Sequence, residues 1–177
     1  MSAGDDFDPE KPYHPPKAYR NERFLTSPSA RGVRILAEYV EPAARFRAFD
    51  VADTVVFFGS ARILPRDEAE HRLRAARDHG GDVVRAEMAL EMSRYYEDAR
   101  ELARRLTEWS KGLEDTHKRF IVCSGGGPGI MEAANRGASE ARGINIGLGI
   151  SLPHEQHANL YITREMSFEF HYFFMRK

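Results

Sequence analysis

Residues 120–142 read FIVCSGGGPGIMEAANRGASEAR, and their order decides the fold. Phe120-Ile121-Val122-Cys123 is a short, continuously apolar run, the pattern of a strand covered on both faces of a parallel sheet. It breaks at Ser124-Gly125-Gly126-Gly127-Pro128-Gly129. Ile130 to Arg142 then carries apolar residues at helical spacing and stops at Gly143. Pro128 suits the first helical position, where its missing N–H costs nothing. A strand that feeds a helix through a small-residue turn is half of a βαβ unit.

The flanking sequence repeats the arrangement. Upstream, Thr54 to Phe58 is a second apolar run, read as a buried strand, and ends in Gly59-Ser60-Ala61. Residues 62–81 are dense in Arg, Asp and Glu and close on Gly80-Gly81, which predicts a solvated helix. Met88, Met92, Tyr95, Ala99, Leu102, Leu106 and Trp109 alternate in steps of four and three, a helix seam. Unbroken from Asp82 to Gly112 that helix would run about 45 Å. Its seam either packs on the sheet or takes part in a dimer interface. Downstream, Ile144 to Leu152 reads as a third strand, Leu160 to Thr163 as a fourth, and Ser167 to Lys177 as the opening of another helix. Val33 to Phe49 is an amphipathic helix with a kink near Pro42. Strands alternating with helices define an α/β class, a Rossmann-like parallel sheet with flanking helices. Residues 1–30, with five prolines among charges, read as a flexible or draped arm, and 31–177 as a single nucleotide-binding domain.

Composition narrows the function. The 177 residues carry 26 basic and 27 acidic side chains, a net charge of -1, which leaves no general electrostatic footprint for nucleic acid. No apolar run approaches the ~20 residues needed to span a bilayer, and the N-terminus lacks a signal-peptide layout, so the expectation is a cytoplasmic protein without a membrane partner. Cys123 is the single cysteine, which excludes an intrachain disulfide and a cysteine-based zinc site. It reads as a packing residue with no basic partner to activate it.

The glycine turn carries the chemistry. Glycines allow backbone to approach a ligand closely, and amides at a helix N-terminus favour an anion such as phosphate. A tight turn with no ligand is the alternative. The turn is not a dinucleotide fingerprint, because the last glycine of G-x-G-x-x-G would fall on Ile130. It is not a Walker A loop, since no Gly-Lys-Ser/Thr follows. A mononucleotide is therefore favoured over NAD or ATP hydrolysis. Ser60 stands at the carboxyl end of the first strand, where it offers a hydroxyl and an N–H, or merely fits a tight turn. His154-Glu155-Gln156-His157 has two residues between its histidines where a zincin helix needs three, so no metal is expected.

With these residues quoted, the chain resembles the LOG (LONELY GUY) family of cytokinin-activating phosphoribohydrolases and its longer, "lysine decarboxylase-like" bacterial relatives. The likeness runs through residues 55–61, 95–103, 124–138 and 146–156, and ends in Phe174-Met175-Arg176-Lys177. The family's Pro-Gly-Gly-x-Gly-Thr-x-x-Glu motif would follow the Arg-Lys pair, where this sequence stops, so the expected sheet is incomplete at the C-terminus. The resemblance implies hydrolysis of the N-glycosidic bond of a nucleoside 5′-monophosphate, AMP or a cytokinin riboside monophosphate, to free base and ribose 5-phosphate. The alternative is a nucleotide-binding or sensing protein without the glutamate loop.

By resemblance, Arg176 is the catalytic or substrate-orienting cation. Substrate-binding candidates are Gly59, Ser60, Ser124, Gly125, Gly126, Gly127, Gly129, Glu155, Asn159 and Lys177. A homodimer is implied, and no cofactor. A pyridoxal-phosphate decarboxylase is disfavoured, because the few lysines lie in the tail, at a helix end or at the terminus.

Overall fold

The computed structural model describes residues 14–114, 117–150 and 158–176. The chain divides into two units, one ending at Ala37 and the other beginning at Glu38. In the first, a 3-10 turn at Ala18–Arg20 precedes α1 (Glu22–Leu25), whose N-terminus is capped by the Asn21 side chain accepting the Phe24 N–H. Arg34 donates to the carbonyls of Leu25 and Ser27 at 2.6 and 2.7 Å and so closes the other end of α1. The boundary between the units falls within α2 (Arg31–Ala48).

The second unit is α/β and Rossmann-like. β1 (Thr54–Phe57), β2 (Ile121–Ser124), β3 (Ile146–Ile150) and β4 (Ser167–Phe170) form an all-parallel sheet in the order β1-β2-β3-β4. The crossover from β1 to β2 holds α3 (Arg66–His79) and α4 (Val83–Lys111), and that from β2 to β3 holds α5 (Ile130–Glu140). On one face, Ala103 of α4 and Ala134 and Ala138 of α5 close over Val122. The small residues let α4 and α5 approach to near backbone contact; a Cβ on Gly137 would fall on the Arg100 carbonyl oxygen. On the other face, Phe46 and Phe49 from α2 pack over Ile121, Cys123, Ile146, Phe168 and Phe170. Among the described residues, no helix is long and apolar enough to cross a membrane.

Several sequence-based expectations change. Leu160 to Thr163 is a turn, with Leu160 97% exposed, because the Asn145 side chain donates to the Tyr161 carbonyl and fixes a bend there. The fourth strand is instead Ser167–Phe170, where Phe168 and Phe170 are buried and Glu169 between them is exposed, the two-residue period of a pleated strand. The helix expected to open at Ser167 is confined to α6 (Phe173–Arg176). Pro128 lies two residues ahead of α5, whose N-cap is Gly129 with φ 73 and ψ -131, outside the helical region.

The remaining changes concern burial. β1 is an edge strand whose only pairing among the described residues is with β2, and Val56 is 46% exposed instead of covered on both faces. Of the α4 seam, Leu106 packs against the cluster around Val122 and the Trp109 ring lies on Phe120, while the rest does not pack on the sheet. The buried face of α4 is Ala86, Ser93, Tyr96, Ala103 and Thr107, mostly small residues, while Met88, Met92, Tyr95, Leu102 and Trp109 stay exposed.

Candidate functional site

The two small-residue turns lie side by side because β1 and β2 are in register, Phe57 opposite Ser124. The Ile130 N–H, first in α5, donates to the Ser60 carbonyl at 3.1 Å. Gly129 has φ 73, and a Cβ there would overlap the Ser60 carbonyl oxygen and Ala61, so only glycine fits. The Ser60 hydroxyl accepts the Arg62 N–H at 3.1 Å, which shapes an exposed turn. Gly59 abuts the Ile130 side chain.

A buried polar network holds the glycine loop from beneath. The Ser124 hydroxyl donates to Asn135 Oδ1 at 2.6 Å and accepts the Gly126 N–H at 3.0 Å. Asn159 Nδ2 donates to the Gly126 and Gly127 carbonyls and to Asn135 Oδ1, and its own N–H donates to Gly126. Asn135 Nδ2 donates to Asn145 Oδ1 at 2.9 Å. Ser124, Asn135 and Asn145 are at most 1% exposed. The polar side-chain groups of Ser124 and Asn159 therefore act on the loop backbone. Asn135 and Asn145 are missed by the sequence reading, yet an asparagine inside a short helix, where it forms helix poorly, is a signal that its amide is needed elsewhere.

Arg176 comes over the loop from the other side. α6 is held at its start by Glu38, whose carboxylate accepts the His171 and Tyr172 N–H groups at 2.9 and 3.1 Å. Arg176 Nη2 lies 3.7 Å from where a Gly125 Cβ would be. The guanidinium also lies 5.7 Å from the Phe173 ring centroid. Gly125, Gly126, Gly127 and Arg176 line a cavity of about 300 Å³ at the carboxyl ends of the strands, where open α/β sheets bind ligands. Glu169 and Met131, which the sequence reading did not single out, line it too. Gly59 and Ser60 adjoin it through Gly129 and Ile130 without lining it. Glu155 and Lys177, with His154 and His157, lie outside the described residues.

Burial pushes the Cys123 thiol up to about 12, against a weaker opposing pull from the Arg176 charge, so it is protonated at neutral pH. Burial, together with donation to Glu132 at 2.8 Å, raises the Tyr96 hydroxyl well above its ordinary value; that bond ties α4 to the first turn of α5. Arg100 grips Glu140 with two bonds, 2.8 and 2.6 Å, further fixing the two helices.

A larger cavity, about 460 Å³, opens at the opposite end of the sheet beside Phe120 and Ile144. Its Lys111 and Lys118 ammonium groups donate to the carbonyls of Ala141 and Phe49, at the C-terminal ends of α5 and α2. It lies at the amino ends of the strands, away from both glycine turns.

No curated protein matches the chain. Residues 96–169, from Tyr96 of α4 through the glycine loop to Glu169 of β4, match the model of the SLOG cluster4 family, whose superfamily includes LOG-like Rossmann-like proteins.

Proposed function

We propose that the chain binds a nucleoside 5′-monophosphate over the glycine loop and hydrolyses its N-glycosidic bond. The observation that carries this reading is the guanidinium of Arg176 over Gly125, beside the N-terminus of α5. A guanidinium and a glycine loop that line one cavity suit a phosphate. The match to the SLOG cluster4 model supports a nucleotide-related role.

In the reaction, water attacks C1′ of the ribose as the bond from C1′ to the base nitrogen breaks. The base leaves with a proton, and ribose 5-phosphate forms. The sugar acquires oxocarbenium character on the way, so a carboxylate nearby stabilises it. Glu169, which lines the cavity with Arg176, is the side chain we assign to that role. Arg176 orients the sugar phosphate, and Ser124, Asn135 and Asn159 position the loop amides. Gly59 and Ser60, which adjoin the cavity without lining it, are assigned to the edge of the cradle on the strength of the resemblance. Glu155 and Lys177 are proposed as further contacts on the strength of the resemblance alone.

Incubation of the protein with AMP and, separately, with adenosine tests the proposal. Free adenine from AMP but not from adenosine, read by chromatography, is the expected result. Binding of AMP and ribose 5-phosphate by calorimetry without release of base would favour the nucleotide sensor. Neither binding nor turnover would overturn both readings.

A further inference from the structure

We propose that the cavity at the amino ends of the strands is a second binding site, for a small organic anion: a phosphate or carboxylate with two negative charges and an apolar flank. It lies away from the glycine loop and stands whether or not the chain hydrolyses a nucleotide. At about 460 Å³ the cavity is of ligand size, and larger than the one beside Arg176. Three chain reversals wall it: Asp50 follows α2, Leu113, Lys118 and Phe120 lie between α4 and β2, and Arg142 follows α5. Asp50, Phe120 and Arg142, at φ 54, 53 and 55, are the non-glycine residues with positive φ among those described, and all three line this cavity. Residues held left-handed at a cost gather where a site uses their side chains.

Asp50 and Arg142 stand in equivalent places. Each follows a helix whose end is closed by the next N–H along the chain, Val51 to the Phe46 carbonyl at 2.9 Å and Gly143 to the Ala138 carbonyl at 3.0 Å. In that closure the left-handed residue is usually glycine, which adopts it without strain. Here both positions carry a charge. Lys111 and Lys118 have a structural duty, since each donates to a carbonyl at the end of α5 or α2, where the helix dipole favours a cation. An ammonium has three N–H groups, so that bond leaves each lysine donors to spare. Arg142 has no such duty. Its side chain makes no hydrogen bond or ion pair among the described residues, and the end of α5 already has Lys111. Three cations against the Asp50 carboxylate leave the lining net positive, and Leu113, Phe120 and Ile144 supply its apolar part. Such a lining attracts an anion with an apolar side and repels a cation.

Calorimetry of the full chain with phenyl phosphate and with phthalate tests the assignment, and inorganic phosphate serves as the anion without an apolar flank. At least one aromatic anion should bind about tenfold more tightly than inorganic phosphate, and the tighter of the two names the acid group. The binding should persist in Arg176→Ala, in which the glycine loop lacks its guanidinium, and the further variants are compared on that background. Arg142→Gly relieves the left-handed strain and removes a cation, so it should melt no lower than its background and bind about ten- to hundredfold more weakly. Arg142→Lys should recover part of that loss. Asp50→Gly relieves the same strain but removes the opposing carboxylate, so it should bind about two- to fivefold more tightly. No binding in Arg176→Ala overturns the inference, as does inorganic phosphate bound equally well. So does an affinity that Arg142→Gly leaves unchanged, or a clearly lower melting point in that variant, which would make the side chain structural.

Discussion

Arg176 and Gly125 come together from opposite parts of the unit: one from the last turn of α6, the other from the loop that leaves β2, with Nη2 3.7 Å from the place of a Cβ. The proximity follows from β4 lying beside β3 and from Glu38 holding the turn that ends in α6. If the guanidinium faces a sugar phosphate, Arg176→Ala loses a charge-assisted, forked contact of about 1.5–3 kcal/mol, a ten- to hundredfold loss of affinity. Arg176→Lys keeps the charge but not the fork and should recover part of it. Calorimetry should show the same loss for AMP and for ribose 5-phosphate. A loss confined to AMP would place Arg176 at the base instead.

Gly129 should tolerate no side chain. Gly129→Ala combines a left-handed φ with a Cβ that overlaps Ser60 and Ala61 backbone, which cannot swing aside like a side chain. The expected cost is roughly 2–4 kcal/mol, which lowers the Tm by about 5–15 °C in a chain of this size. Gly125→Ala is the control: its Cβ meets the flexible Met131 Sδ at 2.8 Å and reaches Arg176 only at 3.7 Å. It should melt close to the parent yet bind AMP more weakly. Thermal melts of the two variants side by side check the ordering.

Asn135 sits where three chain segments meet, and Asn135→Ala removes a partner from Ser124, Asn145 and Asn159 together. The groups left behind are buried, so each is costly to leave unpaired, about 1–3 kcal/mol apiece before water enters. Urea denaturation should show a loss of at least 2 kcal/mol. Hydrogen exchange should show the Gly126 amide, bonded to Ser124, losing protection first.

The order of elements was legible because each signal was local. Ile121–Ser124 followed by glycines, the 29-residue α4 and the charged α3 all declare themselves within one window. What the sequence withheld depends on contacts between segments. Phe168 and Phe170 read as the opening of a helix until their period of two is set against β3, to which Ser167–Phe170 pairs from Gly147 to Ile150. The α4 seam misleads because large apolar residues attract the eye, whereas the helix buries alanines so that α5 can come close. In the candidate site, Ser60, Gly129 and Arg176 are evident as motif residues. Asn135 and Glu169 are not, since their importance lies in what they face and not in any spacing.

Cys123 gives a prediction with a definite sign in pH. Burial raises its thiol from 9.0 to about 12 in the folded chain, so between those values the folded state holds a proton that the unfolded chain has lost. The stabilisation is complete below pH 9 and disappears as pH rises toward 12, a fall of up to about 4 kcal/mol by linkage. Denaturant titrations at pH 8, 9.5 and 10.5 should therefore show declining stability, and Cys123→Ala should flatten that decline while costing some core packing. Thiol reagents offer an independent measure. At pH 8 the native chain should label only as fast as it opens, and denaturant should bring the rate to that of a free cysteine. Fast labelling of the native protein would mean that the thiol beneath Arg176 is reachable from the cavity and is ionised there.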